Sequence, residues 1–233
     1  MATQADALKP RFRIDPDIRP AFDTLRASVA ASVPDEAPYR HWIWRDVLPD
    51  ATARELAALP FPKPDLHGVS GKRELHNDTR HYFDAANARR FAVCDRMARL
   101  FQAEETVALF EAATGADLSN TNVRIEYTLD ADCFWLEPHT DLGVKRITIL
   151  YYLPDGPDQR DLGTDIYQAP GEWHSRPAFD WNSALVFVPG SNTYHGFEKR
   201  DIPRVRRTVI VNYVTQEWRA REQLSYPAIP VGV

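Results

Sequence analysis

The segment KRITILYYL, residues 145–153, alternates between apolar and mixed side chains with the period of two that is typical of a β-strand. The segment RRTVIVNYV, residues 206–214, repeats this alternation. Each predicts a strand that packs an apolar face against a helical layer and turns a mixed face toward a partly polar interior. The mixed faces carry Arg146, Thr148, Leu150 and Tyr152 in the first segment and Arg206, Thr208, Ile210 and Asn212 in the second.

Four further short runs in the second half of the chain also predict strands: NVRIEYTL, TDIYQAP, SALVFVP and TYHGFEK. Many short strands separated by Gly, Pro, Asp and Asn indicate a sandwich or a barrel. The first half has helical spacing, including two consecutive helices over residues 87–114 that end at Gly115. We therefore predict an α+β fold with a mainly β core, built as one domain over residues 1–233. Its parts are helical support and substrate loops (1–118), a β core (119–218) and a C-terminal tail (219–233).

Composition excludes several classes of partner. The formal net charge of −5 over 233 residues argues against a nucleic-acid or anionic-membrane surface. The two cysteines, Cys94 and Cys133, form no C-x-x-C pair and fit a reducing compartment. The N-terminus has no signal-peptide pattern, and no apolar stretch approaches the roughly 20 residues of a membrane span. We expect a cytoplasmic, soluble protein.

Three residues are candidate metal ligands. His139 and Asp141 lie two residues apart just before the strand at 145–153, and His195 opens a later predicted strand. Two histidines and one carboxylate form the facial triad that binds Fe(II) and leaves coordination positions open. The His-x-Asp pair alone would fit a solvated loop equally well.

A hairpin return would set Arg206 beside His195, where its guanidinium could hold a carboxylate in bidentate fashion. The Thr208 hydroxyl would be a further donor on the same strand face. The neighbouring Arg207 falls on the opposite face of the predicted strand, so parity favours Arg206.

These segments together resemble the Fe(II)/2-oxoglutarate-dependent oxygenases, and specifically their prolyl-hydroxylase-like branch. LEPHTD resembles the segment that carries the His-x-Asp motif in that family. NTYHGFE resembles the family's distal-histidine strand, and RRTVIVNYV resembles its R-x-S/T strand. The resemblance extends over about residues 123–213. It implies a double-stranded β-helix, a jelly-roll or cupin-like barrel, with His139, Asp141 and His195 as the iron ligands.

The resemblance also implies which residues bind the cosubstrate. Arg206 would hold the remote carboxylate of 2-oxoglutarate, with Thr208 beside it. ITILYYL resembles the strand whose second tyrosine reaches the same carboxylate, which implies Tyr152, and RIEYTL makes Tyr127 a candidate for the cosubstrate pocket. The sequence departs from the family pattern in DLGTDIYQ, where Asp165 occupies a position that is usually aliphatic.

The implied cofactors are Fe(II), 2-oxoglutarate and O2, with ascorbate as a candidate reductant. The implied reaction hydroxylates, or otherwise oxidises, an unactivated C–H bond and releases succinate and CO2. Because Asp141 supplies a carboxylate ligand where a halogenase of this type has Gly or Ala, halogenation is not expected.

Substrate residues are predicted from position alone. The polar segment GKRELHNDTRHYFD, residues 71–84, is a candidate substrate loop that carries Arg73, Arg80 and His81. Lys72, Arg73 and Arg80 together would suit an acidic or phosphorylated small molecule, whereas the resemblance points to an amino-acid or protein side chain. Trp135, four residues before His139, is a candidate substrate contact.

Two alternatives keep the predicted strands but change the function. The first is a cupin-like metal-dependent isomerase or decarboxylase, which would keep the three metal ligands and have no need of Arg206. The second is a non-catalytic binding module in which the three residues bind no iron. The sequence does not predict an oligomeric state.

Overall fold

The computed structural model describes residues 12–63, 80–131, 134–141 and 143–232. Within these ranges the chain forms five α-helices and ten β-strands arranged in two antiparallel sheets. The helices are α1 (Arg19–Ala31), α2 (Asp50–Ala57), α3 (Ala85–Arg90), α4 (Ala92–Gln102) and α5 (Glu104–Thr114). The strands are β1 (His41–Arg45), β2 (His81–Tyr82), β3 (Asn122–Asp130), β4 (Leu136–His139), β5 (Lys145–Tyr152), β6 (Asp165–Ala169), β7 (Glu172–Ser175), β8 (Ser183–Phe187), β9 (His195–Phe197) and β10 (Arg206–Val214).

The larger sheet has the strand order β1-β8-β5-β10-β3-β2 in the described part of the chain. In its centre Thr208 of β10 lies opposite Tyr152 of β5 on one side and Thr128 of β3 on the other. The outer face of the sheet packs against the helices, and Tyr213 donates its hydroxyl to the backbone carbonyl of Phe101 in α4. The apolar faces predicted for residues 145–153 and 206–214 are confirmed, since Ile147, Ile149, Tyr151, Leu153, Val209, Val211 and Tyr213 all belong to this buried cluster.

The smaller sheet has the order β4-β9-β6-β7 among the described residues and faces the inner side of the larger one. Ile166 of β6 and Phe197 of β9 share a buried cluster with Leu150, Tyr152 and Ile210 of the larger sheet. Gly196 allows β4 and β9 to approach closely, because a Cβ built there would lie 2.7 Å from the carbonyl oxygen of Leu136. The two sheets therefore enclose a second core, separate from the one under the helices.

The helical segment over residues 87–114 is divided more finely than predicted. Three helices replace the predicted two, because Phe91 and Ala103 adopt extended backbone conformations. Asp84 caps the first by accepting hydrogen bonds from the backbone N–H groups of Ala86 and Asn87. The predicted end at Gly115 is confirmed, and its φ of 76° is the left-handed conformation that glycine adopts without steric cost.

The mixed architecture of helices and antiparallel sheets is the one the sequence predicts. The sequence does not predict the short strands β2, β4 and β7 as separate elements. Residues beyond β10 run back along β3, where Leu224 and Val231 form isolated bridges with Arg124 and Thr121. In the ranges that the structure describes, no helix is both long enough and apolar enough to cross a membrane.

Candidate metal and cosubstrate site

The three predicted metal ligands come together between the two sheets. His139 ends β4, His195 begins β9 and pairs with it, and Asp141 lies in the connection from β4 to β5. The His139 and His195 Nε2 atoms lie 3.8 and 3.7 Å from the Asp141 carboxylate oxygens. One ligand atom from each residue lies within 4.8 Å of the others, a spacing that one shared ion can bridge.

Backbone carbonyls orient both imidazoles in the same way. The Nδ1 atom of His139 donates to the carbonyl oxygen of Glu137, and that of His195 donates to the carbonyl oxygen of Thr193, each at 2.9 Å. Because a carbonyl oxygen can only accept, the proton must sit on Nδ1 and the lone pair on Nε2. This is the arrangement in which a second hydrogen bond fixes the tautomer of a metal-binding histidine.

The carboxylate of Asp141 is held by two side chains from β5. Lys145 donates from Nζ to Oδ1 at 2.6 Å, and Thr148 donates from its hydroxyl to Oδ2 at 2.9 Å. Both contacts fix the plane of the carboxylate. Asn212 of β10 donates in turn to the Thr148 hydroxyl, which connects Asp141 to the centre of the larger sheet.

His195 is fully neutral at physiological pH. Burial lowers its pKa to about 3, and the nearby Asp141 carboxylate offsets only part of this shift. A neutral imidazole is the form that binds a metal ion. Two imidazole nitrogens and one carboxylate oxygen are the donor set of a non-haem Fe(II) centre, so the residues present fit that ion.

A small cavity of about 50 Å³ extends from His195 along the inner face of β10. Its walls combine polar residues, most of them on the larger sheet, with apolar residues of both sheets and of a loop. The lining residues are Arg80, Thr128, Asp130, Phe134, Leu136, Leu150, Thr164, His195, Gly196, Phe197, Arg206, Thr208 and Ile210.

Arg206 lies at one end of this cavity and points inward, as the strand parity predicts. Its Nε donates to the Leu162 carbonyl at 2.7 Å, and its guanidinium forms an ion pair with Asp130. The guanidinium also lies over the rings of Phe179 and Phe197, at 5.0 and 4.7 Å from their centroids. The neighbouring Arg207 points to the other side of the sheet, where it pairs with Asp155.

Thr208 and Tyr152 lie on the same inner face as Arg206. The Thr208 hydroxyl is buried, lines the cavity and has no hydrogen-bond partner in the described part of the chain. The Tyr152 hydroxyl accepts a hydrogen bond from the backbone N–H of Thr164 at 3.3 Å and keeps its own proton available to donate. A guanidinium and two hydroxyl donors on one face fit a carboxylate ligand.

Tyr127 does not lie in this cavity, so its predicted place in the cosubstrate pocket is wrong. It belongs to the outer face of β3, where its hydroxyl donates to the carbonyl oxygen of Leu56 in α2 at 2.9 Å. The inner face of β3 is formed by the alternate residues, of which Thr128 and Asp130 line the cavity.

The predicted substrate residues are dispersed. Arg80, whose side chain is 9% exposed, lines the cavity and pairs with Glu126 at 2.9 Å, so it does not form part of an exposed basic rim. His81 turns to the opposite face and stacks on Phe61, with ring centroids 4.3 Å apart, and burial lowers its pKa. Trp135 is 37% exposed immediately before β4. Arg73, with the rest of residues 64–79, lies outside the described residues.

Asp165, the departure from the family pattern, faces away from the cavity. It is buried on the outer side of the smaller sheet, where Trp173, Arg176 and Arg200 donate to its carboxylate at 3.0, 2.6 and 2.7 Å. Burial opposes its charged form, but these donors and the backbone N–H of Glu198 outweigh that effect and lower its pKa. Arg200 also donates to the Gly163 carbonyl, so the cluster holds the loop that brings Thr164 to the cavity.

Four residues near the site were not predicted from the sequence. They are Lys145 and Thr148 at Asp141, and Asp130 and Thr164 at Arg206. The alternation in residues 122–130 could have indicated that Asp130 faces the site. Asp130 is the antiparallel partner of Arg206, and residues that pair directly turn to the same side of the sheet.

Comparisons with known proteins give the class of the fold. No protein-family model matches the sequence, and no curated protein matches it. Solved structures do match: a prolyl 4-hydroxylase from Pseudomonas putida has a TM-score of 0.52 and 14% identity, over 83% of this chain and 94% of that one. A prolyl hydroxylase from Trichoplax adhaerens, solved in complex with a hypoxia-inducible-factor peptide fragment, has a TM-score of 0.54 and 12% identity, over 85% and 91%. A prolyl 4-hydroxylase from Phytophthora capsici has a TM-score of 0.55 and 12% identity, over 90% and 68%.

Over the described residues, the geometry and the comparisons define a two-sheet antiparallel fold that holds a His-Asp-His group between the sheets. Within that class, the fold is similar to that of prolyl hydroxylases. The resemblance found in the sequence motifs is therefore confirmed for the fold.

Proposed function

We propose that the protein is a non-haem Fe(II)- and 2-oxoglutarate-dependent dioxygenase that hydroxylates, or otherwise oxidises, an unactivated C–H bond of its substrate. One observation carries the proposal: His195, which belongs to the His-Asp-His group, and Arg206 line the same cavity between the sheets. Neither feature alone defines the function, since a cupin-like enzyme also needs metal ligands and a buried arginine also occurs in structural ion pairs. Together they supply ligands for a metal ion and a guanidinium for a dicarboxylate that also binds that metal.

Eight residues of the chain have a defined part in this proposal. His139, Asp141 and His195 hold Fe(II), and Lys145 and Thr148 keep the Asp141 carboxylate in place. Arg206, Thr208 and Tyr152 bind the far carboxylate of 2-oxoglutarate. The bound iron supplies the activation of O2 while 2-oxoglutarate is converted to succinate and CO2, with ascorbate as a reductant that keeps the iron ferrous.

The architecture supports this assignment. We propose that the two facing sheets form a double-stranded β-helix within a single domain of residues 1–233. The apolar cluster between the sheets, which includes Phe134, Phe197 and Ile202, restricts water around the reacting groups. Amino-acid or protein side chains are the proposed class of substrate, by analogy with the peptide seen in the Trichoplax adhaerens complex.

The test is an anaerobic titration of metal-free protein, first with Fe(II) and then with 2-oxoglutarate, followed by visible absorption. A metal-to-ligand charge-transfer band should form in the wild type and be absent in His139→Ala. The band should require more 2-oxoglutarate in Arg206→Lys than in Arg207→Lys, which alters the neighbouring arginine on the opposite face. Iron binding without a band would support a cupin-like reaction that uses no 2-oxoglutarate, and a wild type that binds no iron would support a binding module.

A further inference from the structure

Tyr39 is a buried tyrosine close to the candidate metal site that no sequence motif indicates. It precedes β1 and is only 3% exposed. It packs in the cluster between the sheets, with its ring 5.8 Å from that of Phe187. The Phe187 ring lies 4.7 Å from the imidazole of His195. One aromatic side chain therefore separates Tyr39 from a metal ligand.

The Tyr39 hydroxyl is buried and has no hydrogen-bond partner among the described residues. Four other buried tyrosines differ in this respect. The hydroxyls of Tyr127, Tyr151 and Tyr213 donate to Leu56, Asn182 and Phe101, and that of Tyr152 accepts from Thr164. A buried polar group without a partner destabilises a folded protein by about 1–3 kcal/mol, so its retention calls for a reason.

The position of the hydroxyl suggests that reason. Burial raises the pKa of Tyr39, and the nearby Tyr152 and the Asp141 carboxylate raise it further. The hydroxyl therefore stays protonated and can donate. The Tyr39 side chain lies near residues that we assign to the two ends of one ligand: it shares the buried cluster between the sheets with Tyr152 of the carboxylate site, and one ring separates it from His195 of the metal site.

Resting on the function proposed above, we propose that the Tyr39 hydroxyl is a cosubstrate-binding group that donates a hydrogen bond to an oxygen of 2-oxoglutarate held at the metal. The Thr208 hydroxyl, which is also buried without a partner among the described residues, lines the cavity beside Arg206. Both groups are then unsatisfied in the free protein and satisfied when the dicarboxylate binds.

Two conservative variants separate this role from a structural one. Tyr39→Phe removes the hydroxyl in question, and Tyr151→Phe is the matched control. Tyr151 is equally buried, but it faces the helices and donates to Asn182 Oδ1 at 2.7 Å. In denaturant unfolding without metal or cosubstrate, Tyr39→Phe should be as stable as the wild type or more stable. Tyr151→Phe should be less stable, because it leaves Asn182 without that donor.

The second measurement is the anaerobic titration of the Fe(II) form with 2-oxoglutarate. Tyr39→Phe should raise the Kd for 2-oxoglutarate about tenfold, which is the loss expected for one hydrogen bond to a charged group. Its affinity for Fe(II) should be unchanged. Tyr151→Phe should leave both affinities within about a factor of two of the wild type, because its hydroxyl lies on the far side of the larger sheet.

Two results would overturn the role of Tyr39 and leave the proposed function standing. One is a charge-transfer band in the wild type and an equal Kd in Tyr39→Phe. The other is a loss of stability in ligand-free Tyr39→Phe as large as that of Tyr151→Phe, which would mean that the hydroxyl already has a partner. Absence of the band in the wild type would overturn the proposed function itself, and the assigned ligand of Tyr39 with it.

Discussion

The ion pair between Arg206 and Asp130 leads to a prediction with opposite signs in two assays. Both side chains are largely buried, with 7% and 11% of their surfaces exposed. If the far carboxylate of 2-oxoglutarate binds Arg206, it must share the guanidinium with a second carboxylate of like charge. We expect Asp130→Asn to bind 2-oxoglutarate more tightly and to be less stable in its absence.

The magnitudes follow from simple electrostatics. Two unit charges about 5 Å apart repel each other by roughly 3 kcal/mol at an effective dielectric constant of about 20. If solvent and relaxation remove about half of this, the Kd should fall about tenfold. In the free protein, Asp130→Asn leaves the buried guanidinium with an uncompensated charge, and we expect a loss of about 2 kcal/mol in the free energy of unfolding.

The control is Asp155→Asn, which makes the same substitution at the partner of the neighbouring Arg207. That pair is more exposed, at 3.0 Å on the other side of the sheet, so the change should cost less than about 1 kcal/mol and leave the Kd unaltered. Anaerobic titration gives the Kd and denaturant unfolding gives the stability. An unchanged or higher Kd in Asp130→Asn would refute the reasoning, because Asp130 would then not compete for Arg206.

Three further outcomes are expected. Arg206→Ala should raise the Kd for 2-oxoglutarate at least about a hundredfold, whereas Arg207→Ala should change it less than about twofold; equal effects would contradict the inward orientation of Arg206. Tyr127→Phe should lower the unfolding free energy by about 1 kcal/mol through the lost hydrogen bond to Leu56 and leave the Kd unchanged. Because burial lowers the pKa of folded His195 to about 3, below its unfolded value of about 6.5, its contribution to the stability of the metal-free protein is present above pH 6.5 and lost as the pH falls toward 3. Stability should therefore fall less between pH 7 and pH 5 in His195→Gln than in the wild type, as measured by denaturant unfolding at both values.

Strand parity accounts for most of what the sequence predicts correctly. Alternation in β5 and β10 gives the outer and inner faces without any knowledge of topology, because side chains on a strand turn to opposite sides with a period of two. The same rule distinguishes Arg206 from Arg207, and the structure places the two on opposite faces.

The error at Tyr127 follows from the same rule. The apolar residues of β3 are Val123, Ile125, Tyr127 and Leu129, and all four pack against the helices. Similarity to a motif suggested an inward tyrosine, but the alternation along the strand assigns Tyr127 to the outer face. Periodicity is the stronger signal here because it follows from backbone geometry.

Other features depend on tertiary contacts that no local pattern contains. The break between α4 and α5 falls at Ala103, a good helix former, where the next backbone N–H, of Glu104, donates to the carbonyl of Phe12. Tyr39 lies far from every motif in the sequence and reaches the site only because β1 pairs with β8. Such residues become visible only when the strand order is known.

The division of the site between two sheets has a consequence for folding. Both histidines of the candidate metal site belong to the smaller sheet, whereas Arg206 and its partner Asp130 belong to the larger one and are 76 residues apart in the sequence. A ligand that spans both groups binds only after the long-range strand pairings have formed and the sheets have docked, which are slow steps for a chain of this topology. Metal and dicarboxylate together should therefore slow global unfolding more than either does alone, and resistance to proteolysis would report how completely the two sheets have assembled.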